Sequence, residues 1–357
     1  MASVHTFKNR KECIMSIGWG MVSLGRHPSG KMAPGINEAQ NAHIEAVYSR
    51  DLGRAKEFAK NHNSRTAYDS YAELLKNPEV KVVYLASPNS LHKEQTIMAA
   101  KAGKHVLCEK PMALNISDCD EMIEACEKAG VHLGIAFHAR HHPGNEKVKE
   151  LVSGQNLGTV ALIKTQWAGG VRGQVRPGER VGREQWWDEP SLVGAGTFMG
   201  NGVHQVDMMR WILNDEVEEV SAITDGQTKE QPLENLATLV LRFRSGSIGV
   251  LVSGRRIPDS QNDLVVYGSQ GRAAVYSGMG TTLEGLLEAV GDDIAIKQEF
   301  SPPSNAGMYA NMVEAFGNRI NNIAGNSATG YDGMKVCQVT LAMIESARSK
   351  KTVSIAH

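Results

Sequence analysis

Cys13-Ile-Met-Ser-Ile17-Gly18-Trp19-Gly20-Met21-Val22-Ser23 decides how the rest of the chain is read. The apolar run Cys13 to Ile17 predicts a strand. It is followed by G-x-G-x-x-S, with a small residue where a dinucleotide fingerprint prefers a third glycine. On this reading Gly18 permits a tight turn, Gly20 lets the backbone approach a pyrophosphate, and Trp19, Met21 and Val22 complete the loop. A helix then starts with its N-terminus toward the phosphates. An ordinary glycine turn between strand and helix has the same letters, so the surrounding segments carry the weight.

Further strands are predicted at His43 to Tyr48, Lys81 to Ala86, His105 to Cys108 and Val131 to Phe137. Helical spacing lies between them, over Gly53 to Asn61, Ser70 to Lys76, His92 to Ala102 and Ser117 to Ala129. The alternation predicts βαβ units and a parallel, doubly wound sheet whose ligands sit at the strands' carboxyl ends. Arg26 to Gly35, interrupted by Pro28, Gly30 and Pro34, reads as a loop insertion near that end. After about residue 155 the apolar runs Thr159 to Ala168, Val217 to Asp225, Ala237 to Phe243, Ser247 to Ser253, Asp263 to Gly268 and Ala273 to Ser277 have few helices between them. They predict a second, largely antiparallel sheet. Helices are expected at Gly202 to Leu213, Tyr309 to Ile323 and Gly333 to Lys350.

At 357 residues the chain has room for about two domains. Its 38 Lys and Arg against 39 Asp and Glu leave a net charge of −1, so no long-range field favours nucleic acid or an anionic membrane. Cys13, Cys108, Cys119, Cys126 and Cys337 are scattered without a C-x-x-C pair, which points to a reducing cytoplasm and to neither a disulfide framework nor a zinc knuckle. The polar N-terminus lacks a signal-peptide apolar region, and no stretch reaches the ~18 apolar residues of a membrane span.

The end of the second strand bears on nucleotide choice. NAD sites place a carboxylate there for the ribose 2′-hydroxyl; here the strand runs into Ser49 and Arg50, with Arg54 one turn on. A hydroxyl and two guanidiniums suit a 2′-phosphate. NADP is therefore preferred, and Asp51 keeps NAD open.

Gly103-Lys-His-Val-Leu-Cys-Glu109-Lys110-Pro111-Met-Ala-Leu-Asn115 ends the fourth strand in Glu-Lys-Pro. Together with Ala86-Ser-Pro-Asn-Ser-Leu-His92, Arg140-His-His-Pro143, Gly194-Ala-Gly196, Gly202-Val-His204-Gln-Val-Asp207 and Val265-Val-Tyr-Gly-Ser-Gln-Gly271, it resembles the glucose–fructose oxidoreductase, inositol dehydrogenase and rhizopine catabolism family (Gfo/Idh/MocA). The resemblance implies a Rossmann domain over residues 1–137. A substrate-binding and oligomerisation domain would follow over 138–357, with an open sheet that packs on another subunit of a homodimer or homotetramer. It implies Lys110 and His204 as catalytic residues, Glu109 as the lysine's supporting carboxylate and Pro111 in the cis form. Asp207, Arg140, Trp186 and Asn201 are expected on the substrate, and Ser87, Pro88, Asn89, His92, Glu109, Lys110 and His138 on the cofactor.

The chemistry of these residue types is coherent. Oxidising a secondary alcohol needs a base for the hydroxyl proton and a cation beside the developing alkoxide, and a buried lysine with a nearby imidazole supplies both. One position departs from the family pattern. Gly200 stands where the family's D-x-G-x-H element carries aspartate, which puts the proton relay in question. His138, His141 and His142 lack an acidic or cysteine partner at ligand spacing, so no metal is expected. The segment Val171 to Trp187 carries Arg172, Arg176, Arg180 and Arg183 beside Trp186 and Trp187. It suits either stacking on a sugar and binding of an anionic group, or a solvated loop. The expected activity is NAD(P)-dependent interconversion of alcohol and ketone on a sugar or cyclic polyol. Two alternatives stand beside it: transient oxidation by a tightly bound cofactor for elimination or glycoside cleavage, and a non-catalytic NADP-binding regulator.

Overall fold

The computed structural model describes residues 16–174, 180–301, 304 and 306–355. Strands β1 (Ile17–Val22), β2 (Ala42–Tyr48), β3 (Thr66–Tyr68), β4 (Val82–Leu85), β5 (His105–Cys108) and β6 (Leu133–Ile135) form a parallel sheet in the order β3-β2-β1-β4-β5-β6. Between them run α1 (Ala33–Glu38), α2 (Leu52–Asn61), α3 (Tyr71–Lys76), α4 (His92–Lys101) and α5 (Ile116–Lys128). The side chains of Asp51, Ser70 and Asn115 cap α2, α3 and α5 by accepting from backbone N–H groups that have no partner inside the helix. This is the doubly wound Rossmann order.

Strand β1 corrects the first reading. Residues 13–15 of the expected strand Cys13 to Ile17 lie outside the described residues, and Ile17-Gly-Trp-Gly-Met-Val22 is itself the strand, buried throughout. Its glycines answer to packing. A Cβ on Gly18 would come 2.2 Å from the Glu79 carbonyl oxygen, and one on Gly20 would come 2.9 Å from Leu74. Trp19, Met21 and Val22 are fully buried in the core. The turn that leaves β1 is Ser23 to Gly25, and Ser23 takes the left-handed conformation (φ 70°) usually left to glycine. Nor is Arg26 to Gly35 an inserted loop. It enters the first crossover through a π-helical turn, Pro28–Met32, continuous with α1, and Pro28 sits where no intrahelical N–H is needed.

The second half begins with α6 (Pro143–Ser153) and β7 (Val160–Ala168), then the short α7 (Pro190–Val193) and α8 (Val203–Leu213). Strands β8 (Val217–Thr224), β9 (Leu236–Phe243), β10 (Ile248–Gly254), β11 (Leu264–Gly268), β12 (Gly271–Tyr276), β13 (Gly285–Gly291) and β14 (Ile294–Phe300) follow, and β15 (Val353–Ser354) is added at the far edge. They make a nine-stranded sheet in the order β14-β13-β12-β11-β7-β10-β9-β8-β15, antiparallel except for β7 with β10. Strand β9 alternates buried and exposed residues, so one face of the sheet packs on α8 and the other is open.

Two late helices return to the first sheet. In α9 (Gly307–Ile320), Met308, Tyr309, Met312, Val313 and Phe316 join Trp19, Met21, Ile36 and Ile44 in one core cluster. Gly35 of α1 lies so close to α9 that a Cβ would sit 2.7 Å from that of Tyr309. Helix α10 (Gly330–Ser349), opened by a Thr329/Asp332 capping box, packs on α5, β6, α8 and β8, and so spans both sheets.

Gly18→Ala should therefore lose roughly 1–3 kcal/mol of stability, because the clash is with backbone. At Gly25, where a Cβ meets nothing within 4 Å, alanine should be near neutral. Urea unfolding of the two variants makes the comparison, and equal midpoints would contradict it.

Candidate active site

The carboxyl ends of β1, β4 and β5 face the start of α8 across a cavity of about 710 Å³. Leu24 to Ser29, Ala86, Ser87, Asn89, Glu109 and Lys110 line its Rossmann side. His138, Trp167, Trp186, Trp187, Gly200, Asn201, His204, Thr281 and Tyr309 line the rest. Lys110 follows β5 and precedes a cis peptide bond to Pro111. Its Nζ donates to the Gly200 carbonyl oxygen at 2.8 Å. Burial lowers its pKa from the ordinary 10.5, and Glu109 partly opposes that.

Glu109 is itself braced. Tyr84 donates its hydroxyl to Oε1 at 2.7 Å and His27 Nε2 lies 3.2 Å from the same oxygen. Burial pushes the carboxyl up, but His27, Lys110 and the Tyr84 hydrogen bond outweigh it and hold it at about 2. Glu109 is an anion that keeps positive charge near the cavity floor.

His204 lies in the first turn of α8, stacked on Trp167 with ring centroids 5.0 Å apart and edge-on to His138 at 4.5 Å. Its Nδ1 has no hydrogen-bond partner among the described residues. Burial, then the positive neighbour Lys110, drives its pKa well below 6.5, so the ring is neutral. His138 stacks on Tyr309 at 4.8 Å and bonds the Gly280 carbonyl through Nε2 at 3.1 Å; burial first, with His27 and Lys110, lowers it to about 3. The Tyr309 hydroxyl, also at the cavity, has no partner among the described residues.

Several expected site residues lie elsewhere. Gly18, Trp19, Gly20, Met21 and Val22 are inside β1, as described above, and the residues at the cavity are those of the following turn. Asp207 faces away: Arg140 Nε donates to its Oδ2 at 2.8 Å and Nη2 to its Oδ1 at 2.5 Å, and the same Nη2 lies 3.0 Å from Asp332. Arg210 joins Asp332 at 3.5 Å and Glu216 at 2.7 Å. Arg140 and Asp207 thus form a buried charge cluster, each satisfied bidentately by the other, and neither lines the cavity. His92 is fully buried and joins the Pro111 and Ser87 carbonyls at 3.0 Å each, so it braces the loop and does not line the cavity. Pro88 opens the 3-10 turn Asn89–Leu91 without lining it.

Ser49 is buried at the end of β2 and accepts from Arg54 Nε at 2.7 Å, Arg50 is exposed, and Asp51 is occupied in capping α2. Among the loop arginines, Arg172 pairs with Asp259 and Arg180 with Asp188, while Arg176 lies outside the described residues. Trp186 and Trp187 stack at 4.4 Å against the cavity. His141 is buried beside Arg140 and His142 caps α6; among the described residues no group of three His, Cys, Asp or Glu is placed to hold a metal ion. Sequence reasoning missed His27 and Tyr309. The first was hidden in the supposed insertion and the second stands 199 positions beyond Lys110, with no local signal in either case.

Residues 17–137 match the family model described as an oxidoreductase family with an NAD-binding Rossmann fold, and residues 145–274 match the GFO/IDH/MocA C-terminal domain. The chain is 30% identical to trans-1,2-dihydrobenzene-1,2-diol dehydrogenase of Bos taurus over 66% of this chain and 67% of that one. It is 28% identical to myo-inositol 2-dehydrogenase of Thermotoga maritima over 94% and 98%. It superposes on the aldose-aldose oxidoreductase of Caulobacter crescentus, solved with glycerol, with a TM-score of 0.82 at 26% identity, over 95% and 100% of the two chains.

His138 and His141 are each held at about 3 by burial, against 6.5 when exposed. The unfolded chain binds more protons in between, so stability is full above about pH 6.5 and falls as pH drops toward about 3. Each group contributes a slope of up to about 1.4 kcal/mol per pH unit. Urea midpoints should be lower at about pH 5 than at about pH 7, and identical midpoints would refute this origin.

Proposed function

The chain belongs to the GFO/IDH/MocA family of oxidoreductases, and from that premise we propose that it interconverts a secondary alcohol and a ketone on a sugar or cyclic polyol, with NADP as the preferred cofactor. The observation that carries the reading is the meeting of Lys110 and His204 in one cavity at the carboxyl ends of the parallel strands. Substrates of this class agree with the names of the relatives.

The residues present fit a dinucleotide. Gly25 is open on the side where a Cβ would project, Ser23 supplies the left-handed bend, and a helical segment begins at Pro28 beyond them. Ser23 to Ser29 would hold the pyrophosphate, Ser87 and Asn89 would line its path, and His138 and Tyr309 would wall the nicotinamide end. When bound, the nicotinamide supplies the acceptor or donor of hydride. Lys110, its pKa lowered by burial, takes the hydroxyl proton on Nζ during oxidation and returns it to the carbonyl oxygen during reduction. Neutral His204 orients the hydroxyl, and the Gly200 carbonyl fixes the lysine's direction.

NADP preference is supported by the absence of a carboxylate at Ser49 and by Arg50 and Arg54 beside it. Self-association through the open sheet is supported by the exposed Ile223, Val240 and Val290 on it.

Lys110→Ala should keep NADP affinity and lose at least ~10²-fold in kcat, measured on a panel of sugars and polyols; undiminished turnover removes Lys110 from the mechanism. Replacing Arg50 and Arg54 together by alanine should lower the NADP/NAD ratio of kcat/KM by about tenfold or more. An unchanged ratio would withdraw the preference.

A further inference from the structure

Gly200 leaves a vacancy, because a Cβ there would meet nothing within 4 Å. The space continues outward. Asn201 lines the main cavity and two adjoining ones of about 410 and 220 Å³, and Arg255 lines both of the latter. Arg255 follows the last residue of β10, its backbone anchored by an N–H donated to the Asn235 carbonyl at 2.8 Å.

The charges around it are otherwise matched. Arg180 is paired with Asp188, Glu184 with Arg26, and Arg256 with Asp225. Arg255 has no carboxylate within ion-pair distance among the described residues. Its guanidinium is half-buried, and burial, then Arg180, lowers its pKa while Asp188 partly offsets them. A desolvated guanidinium without a counter-ion among the described residues favours an anion from outside.

We propose that the substrate carries a carboxylate, seated between Asn201 and Arg255, with its reacting hydroxyl at Lys110 and His204. The substrate class is then a sugar acid or a carbocyclic hydroxy acid, an inference that rests on the dehydrogenase reading above. One guanidinium without an ion-pair partner among the described residues matches one negative charge, and Glu184 at the rim disfavours a phosphate dianion. Arg172 and Arg180 of the loop are occupied by aspartates; Arg255, just beyond β10, is the recognition element.

Calorimetric titration and initial rates, with NADP or NAD present, would compare glucuronate, galacturonate and gluconate with glucose, galactose and glucitol, with glucose 6-phosphate as a further arm. At least one acid should bind about tenfold or more tighter than its neutral parent. Arg255→Gln should lower that acid-to-neutral ratio roughly tenfold to a hundredfold through KM. Arg255→Lys should retain part of it, and Gly200→Asp, whose carboxylate enters the same space, should also lower it. Equal affinity for acid and neutral partners, no binding of any acid, a preference for the phosphate, or a ratio unmoved in a folded Arg255→Gln would each overturn the proposal. Acid binding that depends on Arg255 without turnover of any compound would remove the dehydrogenase reading and leave the subsite standing. Turnover of neutral sugars with no acid preference would do the reverse.

Discussion

The pairing of Arg140 with Asp207 is the constraint on which the site geometry depends. Arg140 stands two residues beyond His138 in the turn that leaves the first sheet, and Asp207 stands three residues beyond His204 in α8. Their bidentate bond, extended to Asp332 at the head of α10, ties three segments from both halves of the molecule at one buried point. Buried ion pairs contribute little net stability, because desolvation consumes the Coulombic gain. What this one supplies is position, since sliding α8 against the turn would separate charges that have no water to turn to. The imidazoles of residues 138 and 204 are thereby held with centroids 4.5 Å apart.

The same low dielectric shapes the chemistry. Lys110 and His204 are both shifted toward their neutral forms by burial, while Glu109 is kept ionised by the groups around it. One anion on the floor, a neutral imidazole and a lysine whose charged form is weakened by burial make a cavity whose groups are poised to exchange protons. The near-zero net charge of the chain conceals this local arrangement, and it conceals Arg255 as well.

Much of the fold was legible because its strands are short apolar runs and its helices carry their own caps. Strand β5 has the bounds expected from His105 to Cys108, and Ser70 and Asn115 act as caps beside helices expected there. The errors share one physical cause, which is that local letters are ambiguous where their partners are distant. Gly18 and Gly20 are spaced like a phosphate loop, yet they answer to Glu79 and Leu74 crossing the strand. Pro28 and Pro34 suggested a loop because the π turn between them has no sequence signature. Strands β13 and β14 went unseen because Glu288 breaks the short apolar run of the first and Lys297-Gln-Glu299 that of the second, which is the sheet edge. Lys110 and His204 were singled out through a family motif, whereas the pairing of Asp207 with Arg140, 67 positions away, has no local signal.

The return of α9 to the first sheet bears on how the chain can be made and divided. A ribosome releases β1 to β6 long before Gly307 to Ile320, and until those residues emerge Trp19, Met21 and Ile36 lack part of the layer that covers them in the finished protein. The N-terminal sheet is thus a module in topology but not in synthesis. A graft of this cofactor domain onto another scaffold would have to carry a helix encoded far downstream of the sheet it covers.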